Sequence, residues 1–134
     1  MAVDATEALD LLRQSAFDKT LGPVMERLGV RLLGAFGSAT RRGASPRDLD
    51  VAVQFEGPPR LLELIDVLVE ITGYDRIDIA VVEGDHPVLD AEALSGVPLY
   101  ENSPGVFANA QMAALGHRRD TEWIRKLDLR RMAG

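Results

Sequence analysis

The 134-residue sequence contains no cysteine, so it can form neither a disulfide framework nor a site built on thiolates. It has no apolar run close to the roughly 20 residues that cross a bilayer, and its opening residues are acidic rather than basic, unlike a secretory signal peptide. The formal net charge of −6 disfavours a protein that binds nucleic acid over its whole surface. These absences favour a cytoplasmic protein with no membrane partner.

What the sequence does contain is an ordinary globular composition, with 46% hydrophobic and 27% charged residues. Apolar periodicity and breakers predict helices over 4–28, over 60–73, from Pro87 onward, and over 111–132. Gly22-Pro23 is expected to divide the first of these into two helices. In the last, the candidate inward residues are Leu115, Trp123, Ile124 and Leu127.

Short apolar runs bounded by turn residues predict four strands, over 30–36, 49–55, 76–83 and 97–101. The fourth is expected at a sheet edge, because Pro98 cannot donate to a strand ladder. The predicted fold class is therefore α+β, with one domain over 1–134 and a central mixed sheet of about four strands flanked by helices.

Three aspartates occupy unusual places in these strands. Asp48 and Asp50 open the second strand, where alternation puts both on one face with their Cα atoms roughly 6–7 Å apart. Two such carboxylates can hold one divalent ion or bridge two, and their hard oxygens favour Mg²⁺ or Mn²⁺ over zinc. Asp78 lies between isoleucines in the third strand, where a charge is rarely buried unless it is paired or metal-bound. If these two strands are neighbours, Asp78 completes a triad.

A Gly-Ser turn precedes the aspartates. Gly37 permits a sharp turn after the first strand, and Ser38 is expected to cap a helix that begins one or two residues later. Free amides at a helix N-terminus favour phosphate, and Arg41 and Arg42 on the next turn can neutralise further phosphate oxygens. Each feature alone is typical of a turn or a surface, but the combination favours a site for metal and phosphate.

The segments GSATRRGASPRDLDVAV and RIDIAVV together resemble the signature of the DNA polymerase β-like nucleotidyltransferase superfamily. In so short a chain they are most similar to the minimal nucleotidyltransferases (MNT), often the antitoxins of HEPN-domain ribonuclease toxins. The motif covers 30–82, and the tail extends the resemblance over nearly the whole chain. Two departures are visible: nine residues rather than the usual ten separate Ser38 from Asp48, and Arg47 stands where the family has Ser.

The resemblance implies a polymerase β-like core and a two-metal-ion nucleotidyltransferase that uses Mg²⁺ or Mn²⁺ and ATP or another nucleoside triphosphate. The implied catalytic residues and metal ligands are Asp48, Asp50 and Asp78. Gly37 and Ser38 would grip the β- and γ-phosphates, and the sequence does not choose between Arg41 and Arg42 as the further phosphate ligand.

Three functions stay open at this point. The first is transfer of AMP to a tyrosine hydroxyl of a HEPN toxin, with release of pyrophosphate. The second is the same transfer to a small molecule or to a nucleic-acid 3′ end, which the net charge disfavours. The third is a non-catalytic antitoxin that only binds its toxin, against which an intact triad argues. The edge strand at 97–101 and an apolar helix face suit a homodimer as well as a partner, and the sequence does not choose between them.

Overall fold

The computed structural model describes residues 3–41, 46–117 and 119. The elements in chain order are α1 (Ala5–Phe17), α2 (Leu21–Arg27), β1 (Val30–Phe36), a 3₁₀ turn (Gly37–Thr40), β2 (Leu49–Phe55), α3 (Leu61–Thr72), β3 (Ile77–Val81), α4 (Pro87–Ala93), β4 (Val97–Glu101) and a helix α5 over 106–117. Arg42 and the three expected inward residues Trp123, Ile124 and Leu127 lie outside the described ranges. No helix within those ranges is long and apolar enough to span a membrane.

The four strands form one mixed sheet in the order β3-β2-β1-β4. β1 runs antiparallel to both β2 and β4, whereas β2 and β3 run parallel. The α+β class, the mixed four-stranded sheet and the edge position of β4 are thereby confirmed. β3 forms the opposite edge of this sheet, so within the described residues the strand that carries Asp78 has a neighbouring strand on one side only.

Each face of the sheet packs against its own set of helices. On one face Leu33, Val51 and Val53 join residues of α1, α2 and α3 in the larger core. On the other face Leu32 and Ala52 join residues of α4 and α5, among them Phe107. Because side chains alternate along a strand, the residues two before Ala52 and two before Ala80, which are Asp50 and Asp78, lie on the α4–α5 face.

Two helix predictions differ from the structure at their ends. The break in the first helical region lies at residues 18–20 rather than at Gly22-Pro23, because the Asp18 carboxylate accepts hydrogen bonds from the backbone N–H and the hydroxyl of Thr20. Pro23 is instead accommodated in the first turn of α2, where backbone N–H groups have no partner inside the helix. The closing helix begins at 106 rather than 111.

The expectation that Leu115 points inward is wrong, because that side chain is 41% exposed. Phe107 and Ala114 are the buried residues of α5. The apolar period that selected Leu115 is displaced by about one residue from the face that contacts the sheet.

Candidate active site

Asp50 and Asp78 stand directly opposite each other on neighbouring parallel strands. Adjacent strands lie about 4.7–4.9 Å apart, so the two carboxylates leave the same face of the sheet side by side. The sequence made this adjacency conditional on the pairing of the two strands, and the register confirms the pairing.

The site is more open than the sequence indicates. Asp48 and Asp78 are exposed and Asp50 is half-buried, so the expectation that isoleucine neighbours bury Asp78 is wrong. The reason is the position of β3 at the sheet edge, where a strand end remains accessible to solvent. The acids therefore line the end of an open sheet rather than a closed core.

Electrostatic repulsion is concentrated on Asp50. Its pKa is raised above the usual 3.8, first by partial burial and then by the negative charges of Asp78, Asp48 and Glu92. The ion pairs given for the described residues, Arg60 with Glu63 and Asp85 with His86, do not involve Asp48, Asp50 or Asp78. The carboxylates thus form an anionic cluster without a described protein cation to neutralise it.

Gly37 packs directly against this cluster. Phe36, the last residue of β1, is the cross-strand partner of Asp50, and the chain then turns through Gly37 at φ 75°. A Cβ on Gly37 would clash with the Oδ2 atom of Asp50, so only glycine leaves room for the carboxylate. The Thr40 hydroxyl donates a 2.6 Å hydrogen bond to the Gly37 carbonyl and fixes the turn.

The turn after β1 differs from its prediction. Gly37–Thr40 form one 3₁₀ turn rather than the start of an α-helix, because Arg41 returns to an extended conformation at φ −100° and ψ 136°. Phe36 takes the N-cap position, and no side chain caps the turn, so Ser38 is half-buried inside the turn rather than at its cap. Arg41 is exposed.

The donor set fits a hard divalent cation in chemical type. Asp48, Asp50 and Asp78 supply only carboxylate oxygens, which Mg²⁺ and Mn²⁺ prefer. Within the described residues, however, no three His, Asp or Glu side chains converge as a finished ligand set. Like charges side by side repel, so carboxylates that lack a cation are expected to spread apart. Strand pairing places Asp50 and Asp78 together, Asp48 lies in the bend before β2, and the side chains do not converge on a common point.

Two residues that sequence reasoning did not assign to the site belong to it. Glu92 on α4 is close enough to raise the pKa of Asp50, and no local pattern signals it because α4 reaches the site only by packing on the sheet. The Tyr74 hydroxyl donates a hydrogen bond to the backbone carbonyl of Arg47, which anchors the segment leading into Asp48. Its ring packs against the larger core.

No family model and no curated protein matches this sequence, but solved structures do. An MntA-HpeT toxin–antitoxin complex with two aspartates replaced by glutamate matches at 15% identity over 87% of this chain and 98% of the other, with a TM-score of 0.65. The tri-AMPylated Shewanella oneidensis HEPN toxin in complex with MNT antitoxin matches at 15% identity, over 91% and 99%, with a TM-score of 0.63. A toxin–antitoxin complex with AMP-PNP matches at 15% identity, over 87% and 98%, with a TM-score of 0.62.

This chain has the MNT fold. In each comparison the match covers most of this chain and nearly all of the matched chain. The MNT fold therefore accounts for the whole described sheet and not only for the segment around the aspartates. At 15% identity the likeness is one of fold, and the roles of single residues rest on the geometry described above.

Proposed function

We propose that this protein is a metal-dependent nucleotidyltransferase. It moves a nucleoside monophosphate, AMP from ATP, to an acceptor hydroxyl and releases pyrophosphate. The observation that carries the proposal is the pairing of Asp50 with Asp78 across parallel strands, with the Gly37 backbone packed on the Asp50 carboxylate. Two adjacent carboxylates repel each other and do not help the hydrophobic core to fold, so their pairing favours a functional role.

The proposed metal ligands are Asp48, Asp50 and Asp78. When bound, two divalent ions supply positive charge to the attacking and leaving oxygens of the transfer. The same ligation compensates the negative charges of Asp78, Asp48 and Glu92, which raise the pKa of Asp50 in addition to its partial burial. Ligand binding and charge compensation are therefore coupled at this residue.

The transfer needs little covalent chemistry from the protein. The acceptor oxygen forms a bond to the α-phosphorus, and the bond from that phosphorus to the bridging oxygen of the β-phosphate breaks. Pyrophosphate leaves with the electron pair. Asp78 orients the acceptor hydroxyl, whose proton passes to this carboxylate and then to solvent. Gly37 and Ser38 bind the β- and γ-phosphates through the turn, and Arg41 and Arg42 are the proposed source of further positive charge.

The proposed acceptor is a HEPN toxin, which would make this protein its antitoxin. Support comes from the structures that share this fold. They include an MNT antitoxin in complex with a tri-AMPylated HEPN toxin and a toxin–antitoxin complex with AMP-PNP. The exposed sheet end around Asp78 also leaves room for a protein side chain to approach. AMPylation places a bulky, charged group on the acceptor and can thereby change its activity.

Intact-mass spectrometry tests this proposal. The protein is incubated with ATP and Mg²⁺ or Mn²⁺, with and without the product of any neighbouring gene that encodes a helical HEPN protein. We expect the mass of AMP to be added to the partner by the wild type and not by Asp48→Asn/Asp50→Asn. Glu70→Gln, an exposed change on α3, is the control and should transfer as the wild type does.

The outcomes separate the three functions. Metal-dependent release of pyrophosphate without protein modification keeps the chemistry and moves the acceptor to a small molecule or a nucleic-acid end. Toxin neutralisation without transfer or pyrophosphate release contradicts the proposal and leaves binding alone.

A further inference from the structure

A cavity of about 420 Å³ lies between the sheet and α4, on the face of the sheet that carries Asp50 and Asp78. Its sheet side includes Phe36 and Ala80. Phe36 is the cross-strand partner of Asp50, and Ala80 follows Asp78 by two residues on the same face. Two residues along a strand span roughly 6–7 Å, so the cavity begins about one sugar ring away from the acids. Its volume falls in the range of about 300–1,000 Å³ that is usual for small-molecule sites.

We propose that this cavity binds the nucleobase of the substrate and that Glu92 accepts a hydrogen bond from an exocyclic amine of that base. The proposal rests on the nucleotidyltransferase function above and deepens it, because it assigns the part of the site that distinguishes one nucleoside triphosphate from another.

The order of the strands decides which part of the substrate enters the cavity. Gly37 follows β1, Asp50 lies on β2 and Asp78 lies on β3, so the proposed phosphate turn and the acids form a row across the sheet end. In-line displacement requires the leaving pyrophosphate and the attacking hydroxyl to lie on opposite sides of the α-phosphorus. With pyrophosphate at Gly37, the acceptor enters over the free edge of β3. The nucleoside cannot lie on the line from the pyrophosphate through the α-phosphorus to the acceptor hydroxyl. The cavity on the α4–α5 face of the sheet lies to the side of this line and can accept it.

The lining suits a base better than a phosphate. Phe36, Ala80, Leu89 and Ala93 offer apolar surface on which a flat ring can pack. The ionisable groups in the lining are His86, Asp90 and Glu92. The two carboxylates repel phosphate oxygens but accept hydrogen bonds from an amine, and His86 already lies 3.7 Å from the Asp85 carboxylate.

Of the two carboxylates, Glu92 is the one whose oxygens can accept a further hydrogen bond. Asp90 is buried and already accepts a 3.2 Å hydrogen bond from the Gly84 backbone N–H. Glu92 is exposed at the cavity, and in the described part of the chain no donor occupies its carboxylate. It lines the same cavity as Phe36, the cross-strand partner of Asp50.

A second described cavity of similar size lacks these properties. It measures about 440 Å³ and includes Leu99, Tyr100 and Phe107 in its lining. It lies along β4, two strands away from β2, whereas the cavity at α4 is lined by Phe36, the cross-strand partner of Asp50. Size alone does not distinguish the two cavities, whereas proximity to the acids does.

The test is isothermal titration with Mg²⁺ and three probes: a non-hydrolysable ATP analogue, the matching analogue of purine riboside triphosphate, and inorganic tripolyphosphate. Purine riboside lacks only the 6-amine of adenosine. We expect the wild type to favour the adenine compound by about tenfold, the value of one hydrogen bond to a charged group. Glu92→Ala should bind both nucleotides equally, whereas Glu70→Ala on α3 should keep the preference.

A second pair of variants tests the apolar surface. Leu89→Ala, at a side chain that is 63% exposed, should weaken both nucleotides several-fold and leave tripolyphosphate unchanged. Leu62→Ala, at a side chain that is 79% exposed on α3, should change none of the three. Neither leucine is in the buried core, so both variants should fold.

The probes separate this inference from the function on which it rests. If tripolyphosphate binds but Glu92→Ala keeps the adenine preference and Leu89→Ala changes nothing, the cavity assignment is overturned and the proposed transferase stands. If neither nucleotide nor tripolyphosphate binds in the presence of Mg²⁺, both are overturned.

Discussion

The contact between Gly37 and Asp50 allows the geometry of the site to be tested separately from the stability of the fold. An alanine at position 37 has to keep a left-handed backbone at φ 75°, which costs about 1–2 kcal/mol. Its Cβ also meets the Asp50 carboxylate. That carboxylate ends a short, half-buried side chain, so we expect it to rotate away rather than to hold the clash. Gly37→Ala should therefore displace a proposed metal ligand with little additional loss of stability.

Gly29→Ala is the matched control. Gly29 has nearly the same backbone angle, φ 71°, but an added Cβ there contacts nothing within 4 Å. In urea denaturation both variants should lose about 1–2 kcal/mol of unfolding free energy, equivalent to a fall in Tm of roughly 3–10 °C. Only Gly37→Ala should also lose affinity for Mn²⁺ with a non-hydrolysable ATP analogue, by about tenfold or more, as is typical when a metal ligand loses its support.

Two results would refute this reasoning. Wild-type affinity in Gly37→Ala would mean that the position of the Asp50 carboxylate does not govern binding. An equal loss of affinity in both variants would attribute the effect to backbone strain and not to the carboxylate.

Three further predictions concern charge, anchoring and core packing. Because the pKa of Asp50 is raised, the native state binds more protons than the unfolded state just above pH 3.8, and rising pH lowers the unfolding free energy through that window. The difference in unfolding free energy between the wild type and Asp50→Asn should therefore change in favour of the variant between acid and neutral pH. Without metal, the variant should be the more stable at pH 7 by roughly 0.5–1 kcal/mol. Tyr74→Phe, which removes the hydrogen bond to Arg47, should lower stability by about 0.5–1.5 kcal/mol and weaken Mn²⁺ binding, whereas unchanged Mn²⁺ affinity would remove Tyr74 from the support of Asp48. Leu12→Ala, at a fully buried side chain, should lose about 2–5 kcal/mol of unfolding free energy, while Leu11→Ala, at a side chain that is 41% exposed, should lose less than about 1 kcal/mol; similar losses would contradict the assigned face of α1.

Much of this fold could be predicted because the residues that begin and end its helices are recognisable in the local sequence. Gly29 and Gly73 adopt left-handed backbone angles at helix ends, and Pro87 opens α4, so glycine and proline marked these boundaries in the sequence. The break between α1 and α2 was missed because it depends on side-chain hydrogen bonds from Thr20 to Asp18. Those bonds carry no signal in apolar periodicity.

The site residues also fall into those that local sequence predicts and those that only tertiary packing brings together. Strand propensity and turn residues placed Gly37 directly after β1 and Asp50 at the start of β2, since both rules act within a few residues. The parallel pairing of β2 with β3 and the approach of Glu92 to Asp50 arise from tertiary packing. The exposure of Asp78 follows from the edge position of β3, which no residue within that strand encodes.

The most direct test of the central claim is to count bound Mn²⁺ by electron paramagnetic resonance in the presence of a non-hydrolysable ATP analogue. Two Mn²⁺ ions per chain in the wild type, and a loss of tight binding in both Asp50→Asn and Asp78→Asn, are the predicted result. Equal Mn²⁺ binding in the wild type and both variants would contradict the claim that these paired carboxylates form a metal site.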